Sequence, residues 1–319
     1  MVFRVGLIGL GIMGLRMLDR LAQHPGLAPA AGWDPDPDAC ARAMAAHPDL
    51  AIASSPEALC ARADLACVYI ASPPASHGAH AFAAFDAGKA AFIEKPLTTG
   101  LAEGRAIAER VALESRSAAV NFSLGQAPGL KAMEQAVRNR RFGKPVSASV
   151  DVQFAAWPRP WQMGAASWLA KRAEGGFTRE VVSHFVFLLQ RVLGEPEIGD
   201  VSVSYPAGDG AETALTAHLS FGGVPVTIHG KVGGTELPDR NMTTLTFETG
   251  AIRLTDWTNY ALQEGGHWVP SPETPEALRQ AAQVGQLDEL ALMLAGKPHR
   301  LPSVAEGLVV QTCVEGLLG

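Results

Sequence analysis

Residues 3–14 read Phe3-Arg4-Val5-Gly6-Leu7-Ile8-Gly9-Leu10-Gly11-Ile12-Met13-Gly14. An apolar run with strand character ends at the first glycine of a Gly-x-Gly-x-x-Gly string, and a helical stretch, Met13–His24, follows. In a strand–turn–helix of this kind each glycine has its own task. Gly9 permits the tight turn, Gly11 lets the backbone approach a pyrophosphate, and Gly14 allows close packing of helix on strand. The helix start at Ile12 and Met13 offers unpaired N–H groups to phosphate charge. The string alone is common, but its place after an N-terminal strand and before a helix predicts a dinucleotide site.

The pattern continues outward from this turn. Strands are expected at Phe3–Ile8, Leu27–Trp33, Leu65–Ile70, Ala90–Ile93 and Ala118–Asn121, with a weaker one at Leu50–Ala53. Helices are expected between them at Pro37–His47, His77–Ala87 and Thr99–Glu114. Alternating strands and helices imply right-handed βαβ units and a doubly wound parallel sheet, covered on both faces. That cover explains why Val68-Tyr69-Ile70-Ala71 shows no polar alternation. Asp34 closes the second strand, where an acidic residue bonds the adenosine ribose hydroxyls. The turn-like string Asp34-Pro35-Asp36-Pro37 equally suits a helix cap. No arginine follows Asp34 directly, which favours NAD. Arg42, eight residues on, keeps NADP open.

After residue 121 the periodicity changes. Val146–Phe154 alternates strictly between apolar and polar residues, the mark of a half-buried antiparallel strand. Thr213–Phe221 and Val224–Val232 repeat the pattern around a Gly222-Gly223 hairpin turn. Further strands are expected at Met242–Thr249 and Ala251–Thr255, and helices at Thr178–Leu193, Glu276–Leu294 and Val304–Leu317. The fold class is therefore α/β: a Rossmann domain over residues 1–121, then an α+β domain with an open, mainly antiparallel sheet over 122–319. With helices for one sheet face only, the other face must meet solvent or a partner, and a homodimer or homotetramer joined through that sheet is expected.

Composition excludes several classes. The 32 acidic and 26 basic residues, giving −6, lie in no long like-charge block, so neither nucleic acid nor a membrane surface is an expected partner. No apolar run reaches the ~18–20 residues of a membrane span. The N-terminus runs straight into the strand–glycine pattern, unlike a cleaved signal. Cys40, Cys60, Cys67 and Cys313 share no ligand spacing and read as buried thiols, which fits a cytoplasmic setting without a metal.

Further strings carry a resemblance. Ser72-Pro73-Pro74 and His77 follow the fourth strand, and Ala87-Gly88-Lys89 leads into a short strand ending in Glu94-Lys95-Pro96-Leu97. Gly175-Gly176, then Glu180, then His184, stand further on. Together with the glycine string, these resemble the glucose–fructose oxidoreductase, inositol dehydrogenase and MocA family along essentially the whole chain. The resemblance implies hydride transfer between a nicotinamide and a carbinol or carbonyl carbon. It places Ser72, Pro73, His77, Glu94 and Lys95 near the cofactor, with Lys95, His184 and Glu180 as the catalytic set. The chemistry of the residues agrees. Lys95 ends a strand at the edge where open sheets bind ligands, and Pro96 biases its backbone toward an extended form. Imidazole moves protons near neutral pH, and an acid four residues away on a helix can fix its orientation.

This sequence departs from the family at three points. Glu180 stands where Asp is usual, Phe187 where a second Asp is frequent, and Phe122 follows Asn121 without the common arginine. For the substrate, a small polar sugar-, cyclitol- or hydroxy-acid-like molecule is expected. Trp161 and Trp168, in a segment with three of the six tryptophans, suit stacking or simple packing, and Arg179 is a candidate anion contact. Two alternatives remain open: non-redox chemistry through a retained NAD, as in NAD-dependent glycosidases, and a dinucleotide-binding sensor.

Overall fold

A computed structural model of the chain describes residues 2–319. Two compact units emerge. The first runs to Gly125 and takes in Gln283–Leu308; the second comprises Gln126–Ala282 and Val309–Gly319.

In the first unit, β1 (Phe3–Ile8), α1 (Ile12–Gln23), β2 (Leu27–Trp33), α2 (Pro37–Ala46), β3 (Ala51–Ile52) and α3 (Pro56–Cys60) are followed by β4 (Cys67–Ile70), α4 (His77–Asp86), β5 (Ala90–Glu94), α5 (Leu101–Leu113) and β6 (Ala118–Asn121). The strands form one parallel sheet in the order β3-β2-β1-β4-β5-β6. That order reverses beside β1, where a doubly wound sheet places its ligand crevice. Met17, Leu18 and Leu21 form the buried stripe of α1. They join Val5, Leu7, Leu27, Tyr69 and Phe92 in one core cluster.

The second unit holds α6 (Pro128–Asn139), β7 (Pro145–Phe154), α7 (Ala166–Leu169), α8 (Ser183–Leu193), β8 (Pro196–Ser204), β9 (Ala214–Phe221), β10 (Val224–Val232), β11 (Asp239–Phe247), β12 (Ala251–Thr255), β13 (Asn259–Glu264) and β14 (His267–Pro270). The closing helices α9 (Pro275–Leu294) and α10 (Val304–Leu318) each cross the division. The sheet order is β14-β13-β12-β11-β7-β10-β9-β8. The β9–β10 hairpin turns at Gly222 and Gly223, with φ of +54° and +81°, the left-handed pair that a two-residue hairpin requires.

Three features differ from the sequence expectation. β7 is antiparallel to β11 but parallel to β10, so the sheet is mixed at its centre. Alternation reports one buried face and cannot give the direction of a neighbour. Next, the expected Thr178–Leu193 helix begins with a wide π-helical turn over Thr178–Val182 before α8. Finally, Gln283–Leu308 returns to the first unit, although the expected boundary gave everything after 121 to the second. Leu287, Leu290 and Met293, at helical spacing on α9, bury in the Rossmann core, and Val120 donates its N–H to the Pro302 carbonyl at 2.8 Å.

Candidate active site

The three glycines separate by physical cause. Gly9 has φ +94°, and a Cβ there would stand 2.5 Å from the Ala71 carbonyl oxygen. A Cβ on Gly14 would stand 2.0 Å from the Gly9 oxygen. The fold itself therefore demands both. At Gly11, with φ −68°, a Cβ would meet nothing within 4 Å. No protein atom requires that glycine, and the open space above it is a cradle that a pyrophosphate can fill. α1 also begins without a side-chain cap and without an acid in its first turn, so no side chain of that turn competes for its N-terminal donors and partial positive charge. Ile12 is exposed and Met13 half-buried at this helix start. The turn fits a dinucleotide.

Asp34 ends β2 with its side chain turned to that loop. Oδ2 accepts the Leu10 N–H at 2.7 Å and Oδ1 accepts the Asp36 N–H at 2.9 Å. The carboxylate thus ties the strand end to the glycine turn and begins the bend before α2. The cap of α2 is a different acid, Asp36, which accepts the Asp38 N–H. Arg42 pairs with Asp36 at 3.5 Å.

At the ends of β4 and β5, His77 lies buried between two loops. Its Nε2 lies 2.9 Å from the Ser72 carbonyl, and its Nδ1 lies 2.9 Å from that of Pro96 and 3.3 Å from that of Leu97. The ring is 1% exposed, and burial pushes its pKa down to about 4, so it is neutral near pH 7 and has one N–H to donate. That N–H donates to a carbonyl of the Ser72-Pro73 loop or of the Pro96-Leu97 loop, not to both at once. Lys95 is half-buried just past β5.

Glu94 points into the interior. It accepts the Tyr69 hydroxyl and the Asn121 amide, the latter at 2.6 Å. Gln286 of α9 donates to the Asn121 side-chain oxygen and to the Phe122 carbonyl. Burial, reinforced by the Glu94 charge, raises the Tyr69 pKa well above its usual value, so the phenol is a donor. β4, β5, β6 and α9 are therefore joined by one buried polar network directly before Lys95. The sequence held a signal for it: Tyr69, Glu94 and Asn121 are polar groups in strands otherwise buried and apolar, and such groups need partners.

In the second unit, Gly175 and Gly176 precede the π-helical turn for packing reasons. A Cβ on Gly175 would stand 2.1 Å from the Leu169 oxygen, and one on Gly176, at φ +99°, 2.1 Å from Glu212 Oε2. Glu212, 1% exposed, accepts the Thr178 N–H at 2.6 Å, and desolvation raises its pKa. The wide turn offsets Glu180 and His184 from strict α-helical stacking. Glu180 accepts the Gln162 amide at 3.3 Å and lies 3.9 Å from the Arg159 guanidinium. Arg159 is itself buried, donating to Gln162 at 2.8 Å and to Asp239 at 3.0 Å, with the Trp161 ring 4.7 Å from its guanidinium carbon. The tryptophan-rich segment thus delivers a buried cation to Glu180 and Asp239.

His184 is 5% exposed. Trp257 sets its ring at 89° to the imidazole with centroids 5.3 Å apart, and lies at 23° to Phe185. Nothing in the local sequence marked Trp257. Phe187 is fully buried in α8, where a carboxylate would lack water. Arg179 holds Glu315 through two bonds of 2.7 Å and donates to the carbonyls of Arg172 and Gly175, which makes it a structural clamp. Trp168 is half-buried beside Lys171 and Arg172 at a surface depression. All four cysteines are buried and free, and burial pushes Cys67 and Cys313 up to about 12, which leaves these two unreactive. Among the described residues no group of three or more His, Cys, Asp or Glu could hold a metal, and no helix is long and apolar enough to cross a membrane.

Comparison with known proteins bears on this geometry. Residues 3–122 match the profile of the oxidoreductase family with an NAD-binding Rossmann fold that includes glucose–fructose oxidoreductase, inositol dehydrogenase and MocA. The 1,5-anhydro-D-fructose reductase of Ensifer adhaerens is 30% identical over 165 residues, 50% of this chain and 47% of that protein. The inositol 2-dehydrogenase of Agrobacterium fabrum is 34% identical over 150 residues, 46% of this chain and 44% of that protein. The chain spans about half the length of these curated relatives. Two solved structures share the fold over nearly the whole chain. An oxidoreductase from Agrobacterium radiobacter, in complex with NAD+, L-tartaric acid and magnesium, has a TM-score of 0.84 at 16% identity, covering 99% of this chain and 95% of its own. The WlbA dehydrogenase from Chromobacterium violaceum, in complex with NADH and UDP-GlcNAcA, has 0.82 at 19%, covering 99% and 92%. Over residues 3–122 the chain is thus similar to the NAD-binding Rossmann domain of that oxidoreductase family.

Proposed function

We propose that this protein is an NAD-dependent dehydrogenase or reductase acting on a small polar carbinol or carbonyl compound of polyol, cyclitol or hydroxy-acid character. The observation that carries it is the glycine turn, where Gly9 and Gly14 answer to the fold and Gly11 answers only to a ligand. The bound nicotinamide supplies the hydride exchange. The protein holds the pyrophosphate at the Gly11–Gly14 helix start, and Asp34 accepts from the ribose hydroxyls while repelling a 2′-phosphate.

Hydride transfer at a carbinol carbon requires a proton to move on the attached oxygen. Lys95, half-buried at the end of β5, exchanges that proton, and the Glu94 network holds the strand end from which it projects. His184 is the second proton-transfer group of this reading, with Glu180 fixed by Gln162 and Arg159 in the preceding turn. The reductase and dehydrogenase names of the relatives support the substrate class. The protein works in the cytoplasm as a homodimer or homotetramer joined through the polar face of the second sheet, and light scattering reads that state.

The test is a screen of polyols, cyclitols, hydroxy acids and keto compounds with NAD(H) and NADP(H), followed by reduced-nicotinamide absorbance. A substrate-dependent change in nicotinamide redox state supports the reading. Turnover of a glycoside without net nicotinamide change, or tight NAD binding with no turnover anywhere in the screen, would replace it.

A further inference from the structure

The turn between β12 and β13 is built against local preference. Asp256 and Trp257 have φ of +49° and +73°, the left-handed region in which a hairpin turn ordinarily uses Asn-Gly. A bulky aromatic residue there is an outlier that the surroundings must impose. Asn241 on β11 imposes it: its backbone carbonyl accepts the Asp256 N–H at 3.3 Å, and its side-chain oxygen accepts the Trp257 N–H at 2.9 Å. The next residue, Thr258, is 7% exposed, and its hydroxyl has no hydrogen-bond partner among the described residues. Strain and an orphaned polar atom persist in a turn that glycine would relieve.

What the arrangement achieves is the placement of one ring. The Trp257 indole lies against Phe185, centroids 5.6 Å apart, and stands perpendicular to His184 at 5.3 Å. Phe185 is fully buried, His184 is 5% exposed and Trp257 is half-buried, so of the three rings the indole is the one most open to solvent. We infer that Trp257 is a positioning residue for His184, holding the plane of the imidazole and screening one side of it from water, with Asn241 as the pin that keeps the strained turn in place. The inference rests on the proposed role of His184 in proton transfer. An aromatic wall perpendicular to a histidine confines the ring to a narrow range of tilt while leaving its nitrogen atoms at the edges, where hydrogen bonds form. A loose imidazole would reach the reacting oxygen in productive geometry less often, and rate falls steeply with such misplacement.

The test uses the full chain with Trp257→Gly, Trp257→Phe and Asn241→Ala. Glycine takes the left-handed conformation without strain, so Trp257→Gly deletes the ring while keeping the turn. Diethyl pyrocarbonate labelling of His184, read by peptide mass spectrometry, needs neither cofactor nor substrate. His77, 1% exposed in the other unit, is the internal control, labelled only if the fold is lost. Trp257→Gly should label His184 about fivefold faster or more, as expected when local cover is removed, and Trp257→Phe should stay close to wild type. Asn241→Ala should also speed labelling, and it carries the test should Trp257→Gly label His77. On a substrate found in the screen, Trp257→Gly should lower kcat about tenfold or more with the KM for NAD unchanged, and Trp257→Phe should restore most of it. Unchanged labelling in both Trp257→Gly and Asn241→Ala overturns the inference. So does faster labelling with an unchanged kcat. Faster labelling with no hydride transfer in wild type overturns the proposed function while leaving the cover by Trp257 standing.

Discussion

Alanine at each of the three glycines in turn separates what the fold needs from what a ligand needs. At Gly9, alanine meets both a left-handed φ of +94° and a backbone oxygen at 2.5 Å, so strain and overpacking together cost about 3 kcal/mol or more. At Gly14, the 2.0 Å approach to the Gly9 oxygen forces the helix off the turn, a cost of about 2–3 kcal/mol. Gly11→Ala is different, because no protein atom lies within 4 Å of the new methyl and φ is an ordinary −68°. Alanine gains about 0.4–1 kcal/mol by restricting the unfolded chain, offset by a similar loss at the helix cap position. Its stability should stay within about 1 kcal/mol of wild type, or about 4 °C in Tm for a unit of this size. NAD+ at a hundred times its Kd should stabilise wild type by about 2.7 kcal/mol. In Gly11→Ala the methyl occupies the approach of the pyrophosphate, and a tenfold loss of affinity removes about 1.4 kcal/mol of that gain. Thermal unfolding of the three variants, with and without NAD+, reads both quantities. A Gly11→Ala protein that keeps the full NAD+ stabilisation would refute the cradle, and a Gly9→Ala protein as stable as wild type would refute the reading of strain.

Two further outcomes follow from the first unit. Asp34→Ala should weaken NADH binding about tenfold while narrowing the gap to NADPH, since the repelling carboxylate goes with the ribose contact; fluorescence titration showing an unchanged NADH to NADPH ratio would contradict the assignment. His77 titrates at about 4 when folded against 6.5 when unfolded, so between those values only the unfolded chain binds the proton. Its contribution is complete above pH 6.5 and is lost as pH falls through 4, to about 3 kcal/mol at most. Denaturant melts of wild type and His77→Gln across that window should show a steeper acid loss for wild type, and parallel slopes would count against it.

The first 121 residues were legible because a parallel sheet writes itself in local signals. Apolar runs, glycine turns and helical stripes recur at short spacing, and β1, β2 and β6 fall on the expected residues. The short helices α3 and α7 and the strands β8, β13 and β14 escaped, since their apolar residues are few and their neighbours decide their form; the twelve-residue α6, with Leu130, Met133 and Ala136 buried, also went unread. Site residues divided in the same way. Lys95, Glu180 and His184 are candidates that strings pick out, but the groups packed around them are not. Gln286 reaches Asn121 across 165 positions, and Arg159 meets Asp239 across 80. Such pairings carry no local pattern. Arg179 shows the converse: a guanidinium next to a catalytic candidate reads as an anion contact until Glu315 is seen to hold it.

The central claim is that Lys95 and His184 move the proton that accompanies hydride transfer, while the glycine turn and Asp34 hold the dinucleotide. Single-turnover transfer from deuterated reduced cofactor to a substrate found in the screen tests it most directly, with cofactor affinity measured in parallel for Lys95→Ala and His184→Ala. Each variant should lose about 10²–10⁴-fold in the rate of label transfer while binding the dinucleotide nearly as wild type does. A Lys95→Ala enzyme that transfers the label at close to the wild-type rate would contradict the account, because the proton would then be taking another path.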